Sequence, residues 1–383
     1  MSPIAIAEHA MIIPGLLDWS ALRDGVSAIT NLPETMPVAM GGPVPLEFTQ
    51  EDDAFWPSPM MPRALSLARA ALQALPRDPD RSYGLVLGLP NLFSETAYME
   101  HTLLHRANPK AMELASVFSY DFPMNFLAGV LKNCGPRVRV DSACATGNDA
   151  LITAWQWLAS GVVDDVVVVS ASAMLNPVGL ALFHNLKALN DKRDPQASCP
   201  FDIRRRGFVM GEGAAAVWMT NHPPQKPKGY LCGYGQSLNA EKFVDLPQDI
   251  TPMVNACRSA MGNVKEVAYV SAHGTATQAN DLKETQLHHQ LFGKAAPFTP
   301  LSSIKSMIGH CLGASALIEA IVCLEALREQ IAPPTINLHE PDPVCDLDYV
   351  PNQARPISGN FALSNAFAFG GQNASVLFSG EKP

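Results

Sequence analysis

Short, almost uninterrupted apolar runs recur along the chain. Residues 83–89, 166–170, 214–219 and 267–271 are such runs, and several of them are rich in valine. Runs without polar alternation are typical of strands that are covered on both faces. The pattern therefore predicts buried strands inside a layered protein.

Helix-compatible stretches lie before, between and after these runs, at residues 63–74, 144–160, 252–261 and 317–330. Alternation of strands and helices of this length predicts an α/β protein whose sheets are covered by helices. The segment at residues 221–228, NHPPQKPK, is polar and proline-rich. We predict that it separates a half at residues 1–225 from a half at residues 226–383.

The composition and charge of the chain argue against several classes of protein. The chain has 383 residues, of which 47% are hydrophobic and 16% charged, as in a large, well-buried core. The net charge of −9 argues against a nucleic-acid partner. The longest apolar run, residues 311–324, is too short for a membrane span, and the N-terminus shows no signal-peptide pattern. The eight cysteines lack zinc-ligand spacing, so we expect reduced thiols, a cytoplasmic location and no metal.

A candidate nucleophile lies in the motif DSACATG, residues 141–147, which follows a strand-like segment and precedes a helix-compatible one. This order places Cys144 at a helix N-terminus, where free N–H groups and the helix dipole favour a thiolate and can receive an oxyanion. Taken alone, a cysteine among apolar residues is more often a core thiol.

Three further motifs carry chemistry-bearing residues. His273 in SAHGTAT follows a strand, and Lys305 and His310 precede an apolar helix in which Glu319 is the obvious partner for the lysine. The motif NAFAFGG, residues 365–371, predicts a tight loop with a movable ring. Each has a simpler interpretation: a histidine in a turn, a structural ion pair, and an ordinary turn before the last strand.

In combination these residues favour thioester chemistry. A cysteine with two histidines, without metal spacing and without a nucleotide-binding glycine fingerprint, suits attack on a thioester. Decarboxylation of a malonyl unit needs hydrogen-bond donors at the developing enolate oxygen, and two imidazoles supply them.

The motifs resemble the β-ketoacyl-acyl carrier protein synthases of the elongating Cys–His–His type. The resemblance covers about residues 19–378 and is strongest at residues 140–215, 272–284, 301–319 and 362–373. It implies a thiolase-like five-layered αβαβα fold of two similar halves, assembled as a homodimer or as a heterodimer with a related subunit. It implies acyl and malonyl thioesters as substrates, an acyl carrier protein as partner, and no cofactor, because phosphopantetheine arrives on the carrier.

The resemblance also implies catalytic roles. Cys144 would accept the acyl group, and His273 and His310 would bind the malonyl thioester carbonyl and promote decarboxylation. Lys305 and Glu319 would form a buried ion pair that fixes His310 and the electrostatics of the site.

Further positions are implied around the substrate. Phe369 would be the gating ring, in a loop with Gly370 and Gly371, and its N–H would join that of Cys144 in the oxyanion hole. The residues expected to contact the pantetheine arm or the acyl chain are Thr275, Thr277, Phe183 and Phe118, the last within a segment, residues 111–130, expected at the dimer interface.

Several positions depart from the family pattern and predict a specialised member. They are Ala276 between the two threonines, Ala368 before the gating phenylalanine, Arg206 where an acidic residue is usual, and Met174 in place of a glutamate. Arg206 is also the last of three adjacent arginines, Arg204 to Arg206, which we expect to bind an acidic carrier.

Two other interpretations remain. The chain resembles non-catalytic partner subunits that set chain length, although such partners lose the nucleophile that is present here. It also resembles fold-sharing acyltransferases that make C–O or C–N bonds, although two histidines favour decarboxylation. A thiolase would need a second catalytic cysteine, and we interpret Cys311 as a packing residue.

Overall fold

The computed structural model describes residues 2–47, 62–90, 121–132, 134–241 and 248–383. Within these ranges ten strands form one mixed sheet. The strands of the first half are β1 (Ile4–Ile12), β2 (Tyr83–Gly88), β3 (Cys134–Val140), β4 (Asp165–Ser172) and β5 (Gly213–Thr220). Those of the second half are β6 (Gly229–Leu238), β7 (Tyr269–Ser271), β8 (Leu301–Ser302), β9 (Phe361–Phe367) and β10 (Gln372–Ser379).

The two halves have the same topology. The strand order is β3-β2-β4-β5-β1-β6-β10-β9-β7-β8. Each half has five strands in chain order. The first strand pairs antiparallel with the fifth, and the fifth pairs antiparallel with the fourth. The second strand then pairs parallel with the fourth, and the third pairs parallel with the second. The halves join where Ile4, Ala5 and Ile6 of β1 pair with β6. The expected fold of two similar halves is confirmed.

Helices cover and separate the sheet halves. The longer ones are α1 (Arg63–Ala74), α2 (Phe122–Leu131), α3 (Thr146–Ala159), α4 (Pro177–Asn185), α5 (Thr251–Met261), α6 (Gln278–Phe292) and α7 (Gly313–Glu329). Helices α1 and α2 pack on the outer face of the first half, and α5, with α6 beside it, packs on the outer face of the second. Helices α3 and α7 contact each other and strands of both halves. This arrangement is the expected five-layered αβαβα fold.

Minor elements complete the described part. Short helices are Pro14–Leu16, Trp19–Arg23, Ala143–Ala145, Gly293–Phe298 and Lys305–Ile308, and two-stranded ribbons pair Thr30–Asn31 with Met40–Gly41 and Ile331–Ala332 with Arg355–Pro356. A search of the described residues for a helix long and apolar enough to span a bilayer found none.

The valine run in β4 shows why apolar runs predicted strands. Val166 and Val168 belong to the central core around α3 and α7, whereas Val167 and Val169 belong to the outer core beneath α1. Because successive side chains point to opposite faces, a strand between two helical layers needs apolar residues at every position.

The central helices approach each other very closely at Gly147. A Cβ atom on this residue would lie 2.3 Å from the backbone nitrogen of Leu317. Every residue of α7 from Gly313 to Leu327 is buried. Helix α7 begins at Gly313, four residues before the helix-compatible stretch at residues 317–330.

Gly147→Ala should therefore destabilise the protein. We expect the free energy of unfolding to fall by about 1–3 kcal/mol, as for other overpacked cores, measured by urea denaturation. Gly129→Ala in α2 is the control, because no atom lies within 4 Å of the position that a Cβ would take there and alanine favours a helix. Equal effects of the two substitutions would show that the close approach is not a constraint.

A partly buried hydrogen bond connects the first strand to the central helix. His9 Nε2 in β1 lies 2.9 Å from Glu325 Oε1 in α7, and Arg328 Nε donates to Glu325 Oε2 at 2.8 Å. Burial raises the pKa of Glu325, but these two hydrogen bonds outweigh it and lower the pKa from 4.5 to about 2. The carboxylate is therefore bound more strongly in the folded state than the carboxylic acid.

This lowered pKa predicts a pH-dependent stability. The contribution of Glu325 should be complete above the unfolded pKa of 4.5 and lost as the pH falls towards about 2, and we expect it to be about 2–3 kcal/mol. Urea denaturation over this pH interval checks it. Glu325→Gln lacks the titrating group and should show a weaker dependence, whereas identical slopes for both proteins would contradict the assignment.

Candidate active site

Cys144 lies where the chain turns from β3 into α3. Residues Ala143–Ala145 form a single 3₁₀ turn, and Ala143 has a left-handed φ of +50°. The Thr146 hydroxyl accepts from Ser142 N at 2.9 Å and donates to Ala143 O at 2.7 Å. The side chain thus holds the turn that places Cys144 at the N-terminus of α3, as predicted.

His310 lies directly beside the thiol. Its Nε2 is 3.2 Å from Cys144 Sγ, and its Nδ1 is 3.0 Å from Ser315 Oγ. The backbone N–H of His310 donates to Val209 O at 2.7 Å, and the ring of Phe208 meets the imidazole edge-on at 5.1 Å between centroids. The imidazole is therefore fixed on both sides.

His273 follows β7 and completes the group, with its ring centroid 5.5 Å from that of His310. Its loop is held through the backbone. The N–H groups of His273 and Gly274 donate to the two carboxylate oxygens of Glu284 at 2.7 and 2.8 Å. The carbonyl oxygen of His273 accepts from Lys305 Nζ at 2.7 Å.

Lys305 and Glu319 form the buried ion pair that the sequence predicted. Each is 1% exposed, and they share a direct hydrogen bond. Burial raises the pKa of Glu319 to about 7, against the lowering effect of Lys305. Because Lys305 also binds the carbonyl of His273, the pair connects α7 to the His273 loop. The resemblance implied that this pair fixes His310. In the structure the pair instead contacts the His273 loop directly, through the hydrogen bond from Lys305 Nζ to His273 O.

Burial controls the protonation of the site. It raises the pKa of the Cys144 thiol to about 11, although the charge of Lys305 and the N–H of Phe369 lower it. Burial and Lys305 together place the pKa of His310 and of His273 well below 6.5. Loss of solvent therefore opposes the thiolate that the helix N-terminus was expected to favour. The same shifts favour a thiol beside two neutral imidazoles in the resting site.

The same three residues are arranged so that they could hold a metal ion. The ligand atoms of Cys144, His273 and His310 all lie within 4.8 Å of one another. A cation there would be repelled by Lys305, whose charge influences all three groups.

The predicted gate lies in the turn between β9 and β10. Gly370 and Gly371 have φ values of +83° and +77°, whereas Ala368 is outside the left-handed region and its N–H donates to Gln372 O at 2.8 Å. The glycines therefore supply the unusual backbone. The Phe369 ring lies 6.4 Å from that of Phe183 in α4. Phe118 lies outside the described residues.

A cavity of about 280 Å³ contains the candidate residues. Thr275 and Thr277 line it, with their hydroxyl oxygens 3.0 Å apart. The other lining residues include Cys144, His273, His310, Phe208, Phe367 and Phe369. Thr277 and Lys187 also line an outer groove of about 660 Å³ that contains Lys192, Arg204 and Arg206. The catalytic cavity thus opens towards a basic groove.

The three adjacent arginines do not act as one surface. Arg205 is 2% exposed and its Nη1 donates to Asp342 at 2.7 Å, with Asp281 at 3.5 Å. Its predicted docking role is wrong, because it is a buried structural cation. Arg204 and Arg206 are both exposed, but the guanidinium of Arg204 already forms two hydrogen bonds with Asp202. Arg206 lies at the groove.

Two departures from the family pattern have structural consequences. Ala276 has a left-handed φ of +64°, which costs about 1 kcal/mol relative to glycine. Its carbonyl accepts from Gly207 N at 3.0 Å, which holds the loop in this conformation. Met174 is buried against Gly179 at the start of α4.

The sequence interpretation missed two supporting residues, Glu284 and Ser315. Asn280 and Asp281 are adjacent in the first turn of α6, Glu284 follows about one turn later, and all three are buried. A polar cluster at the start of a helix that follows a histidine motif was the available signal. Ser315 offered no comparable signal, because a serine among small residues is ordinary in sequence.

The chain was compared with known proteins. Residues 1–223 match the family model "Beta-ketoacyl synthase, N-terminal domain", and residues 234–339 match "Beta-ketoacyl synthase, C-terminal domain". The chain belongs to the beta-ketoacyl synthase family. It is 37% identical over 256 residues to a 3-oxoacyl-[acyl-carrier-protein] synthase 2 from Synechocystis sp., an alignment that covers 64% of this chain and 61% of the relative. The chain thus matches about three fifths of that relative's length.

Solved structures share the fold over almost the whole chain. A type II PKS ketosynthase, bound to the hexaketide and in complex with its acyl-carrier protein, superposes with a TM-score of 0.86 at 24% identity, covering 99% of both chains. The ishigamide ketosynthase/chain length factor superposes with a TM-score of 0.86 at 26% identity, again covering 99% of both.

Glu284→Gln should loosen the His273 loop specifically. The amide can accept from one of the two N–H groups but presents its own N–H to the other, so a buried donor loses its partner. We expect a loss of about 1–3 kcal/mol in the free energy of unfolding and faster hydrogen exchange at residues 271–277.

Alkylation of Cys144 should be unchanged in Glu284→Gln, because His310 is held independently. Glu325→Gln is the control, a buried carboxylate remote from this loop that should lower stability without changing exchange at residues 271–277. Unaltered exchange in Glu284→Gln would show that the carboxylate does not position His273.

Proposed function

We propose that the protein is a β-ketoacyl synthase, an acyltransferase that condenses an acyl group on Cys144 with a malonyl unit on an acyl carrier protein. The observation that carries the proposal is the 3.2 Å contact between Cys144 Sγ and His310 Nε2, with a second neutral imidazole in the same buried cavity. The pathway is fatty-acid-like or type II polyketide biosynthesis.

The first half-reaction transfers the acyl group. His310 Nε2 accepts the proton of the Cys144 thiol, and the sulfur attacks the carbonyl carbon of the acyl thioester. The N–H groups of Cys144 and Phe369 stabilise the resulting oxyanion. The carbon–sulfur bond to the pantetheine arm then breaks, and the leaving sulfur takes the proton back from His310. The carrier departs with a free thiol.

The second half-reaction forms the carbon–carbon bond. The malonyl thioester carbonyl accepts hydrogen bonds from Nε2–H groups of His273 and His310, so that charge can develop on its oxygen. The bond to the carboxylate breaks and releases carbon dioxide. The enolate carbon attacks the acyl carbonyl, and Cys144 leaves as a thiolate that takes up one proton.

The surrounding residues have supporting roles in this proposal. Lys305 and Glu319 hold the His273 loop, and Thr275 and Thr277 hydrogen-bond the pantetheine arm, which arrives on the carrier and makes a resident cofactor unnecessary. Phe369, with Gly370 and Gly371, admits the acyl chain past Phe183. We place this reaction in the cytoplasm, as expected from the sequence.

The alternatives are less well supported. A non-catalytic partner role does not explain the retained Cys144, the imidazole of His310 within 3.2 Å of its sulfur, and the second imidazole of His273 edge-on to the first. An acyltransferase that makes C–O or C–N bonds needs one base but no second donor at the carbonyl oxygen.

A heterodimer remains an alternative to a homodimer, because one structural relative is named as a ketosynthase/chain length factor. Light scattering of the purified chain distinguishes a stable homodimer from a subunit that needs a partner.

The proposal is tested by incubating the protein with malonyl-carrier protein and a panel of acyl-carrier proteins. Mass spectrometry should detect acylated Cys144 and a carrier-bound product that is two carbons longer. Cys144→Gln should abolish the product while sparing carbon dioxide release, and His273→Ala should slow that release about 10²–10³-fold. Transfer of the acyl group to an alcohol or amine without carbon dioxide would establish the acyltransferase instead.

Arg206 is the residue of the three arginines that should contact an acidic carrier. Arg206→Glu should raise the apparent KM for the carrier about 3- to 10-fold at low salt, with little change in kcat. High salt should remove most of the difference.

Lys226→Glu is the matched control, because Lys226 is exposed and does not line the basic groove. Arg205→Glu should instead unfold the protein by breaking its buried ion pairs. A KM that is the same for Arg206→Glu and Lys226→Glu would exclude docking at this groove.

A further inference from the structure

The two imidazoles of the site are held in different ways. Nδ1 of His310 lies 3.0 Å from the hydroxyl of Ser315, which is 2% exposed in the first turn of α7. Nδ1 of His273 has no hydrogen-bond partner among the described residues. His310 is thus the imidazole whose ring orientation depends on a side chain.

The contacts define the neutral tautomer of His310. When the Cys144 thiol donates to Nε2 across 3.2 Å, Nε2 must be unprotonated. Burial and the charge of Lys305 lower the pKa of His310, which favours its neutral form. Its one proton therefore lies on Nδ1, which donates to Ser315 Oγ.

The charged groups around His310 support this state. Lys305 from the preceding helical turn disfavours an imidazolium, and Glu319 from α7 is already hydrogen-bonded to Lys305. Burial and Lys305 lower the pKa of His273 in the same way, which disfavours a positive charge there. No carboxylate among the described residues contacts Nδ1, so the hydroxyl is the group that holds its proton.

We propose that Ser315 is a positioning residue that orients His310 and keeps its Nε2 lone pair directed at Cys144. The orientation follows from contacts alone, and only its consequence for acyl transfer rests on the proposed function. Without the hydroxyl, Nδ1 would lose its hydrogen-bond partner in either tautomer, and the ring would no longer be held in the orientation that directs Nε2 at Cys144.

A hydroxyl also suits the second half-reaction. There Nε2 must donate to the malonyl carbonyl, so the proton must lie on Nε2 and Nδ1 must accept. One proton leaves Nδ1 and another reaches Nε2 by exchange with solvent between the departure of one carrier and the arrival of the next. Ser315 can reverse its hydrogen bond and donate to Nδ1, whereas a carboxylate or a backbone carbonyl could only accept.

The first experiment needs no carrier. The rate of Cys144 alkylation by iodoacetamide is measured from neutral to alkaline pH in the wild-type protein, Ser315→Ala and Ser315→Thr. At neutral pH Ser315→Ala should react about 3- to 10-fold more slowly, the value expected for one hydrogen bond. The difference should shrink at alkaline pH, where the thiolate forms without a base, and threonine should restore the rate.

The matched control is Ser66→Ala, a buried serine in the first turns of α1 that is remote from the site. It should react like the wild-type protein. In a His310→Ala background, Ser315→Ala should have no further effect, because Ser315 acts through His310. This comparison remains decisive if the added methyl group of Ser315→Thr prevents folding. A Ser315→Ala rate equal to wild type, or reduced equally at every pH, would overturn the inference.

The second experiment separates this inference from the proposed function. Carbon dioxide release from malonyl-carrier protein is compared in Cys144→Gln and in Cys144→Gln with Ser315→Ala, where the second change should slow release about 3- to 10-fold. Slower alkylation without any turnover of carriers would support the role of Ser315 and contradict the proposed function. Normal condensation by Ser315→Ala would support the function and contradict the role of Ser315.

Discussion

The site depends on the close approach of the two central helices. Helix α3 begins just after Cys144 and α7 begins just after His310, and Gly147 lets the two backbones meet where no side chain would fit. The separation of the thiol from the imidazole is thus set by helix packing and not by a flexible loop. Because the contact is between backbones, it leaves little freedom in the 3.2 Å separation of Cys144 Sγ from His310 Nε2.

Burial is the second determinant of the chemistry. It raises the pKa of Cys144 and lowers the pKa of both histidines, and the buried cation Lys305 is balanced by Glu319 within the site. These shifts disfavour a standing thiolate, and the proposed reaction accordingly begins with proton transfer from Cys144 to His310. The same burial lowers the effective dielectric constant around these residues. Hydrogen bonds to a developing oxyanion or enolate are therefore stronger there than in water.

The two halves repeat one topology but contribute different groups. The first half supplies the nucleophile after its third strand, and the second supplies His273 after β7 and His310 after β8. The Phe369 turn from the end of the second half closes over the same cavity. The outer groove adds Lys187, Lys192 and Arg206 to a protein of net charge −9, so that the entrance is locally basic.

Features that depend on residues close together in the chain could be predicted from the sequence. The strand, turn and helix around Cys144, the doubly covered valine strand and the Lys305–Glu319 partnership were all predictable, because apolar periodicity and the cost of burying a lone charge act locally. Three other features became visible only in the three-dimensional structure: the burial of Arg205, the hydrogen bonds from the His273 loop to Glu284, and the contact of Ser315 Oγ with Nδ1 of His310. Each of these features depends on which segments the fold brings together around a residue. The local pattern of apolar and polar residues does not contain that information.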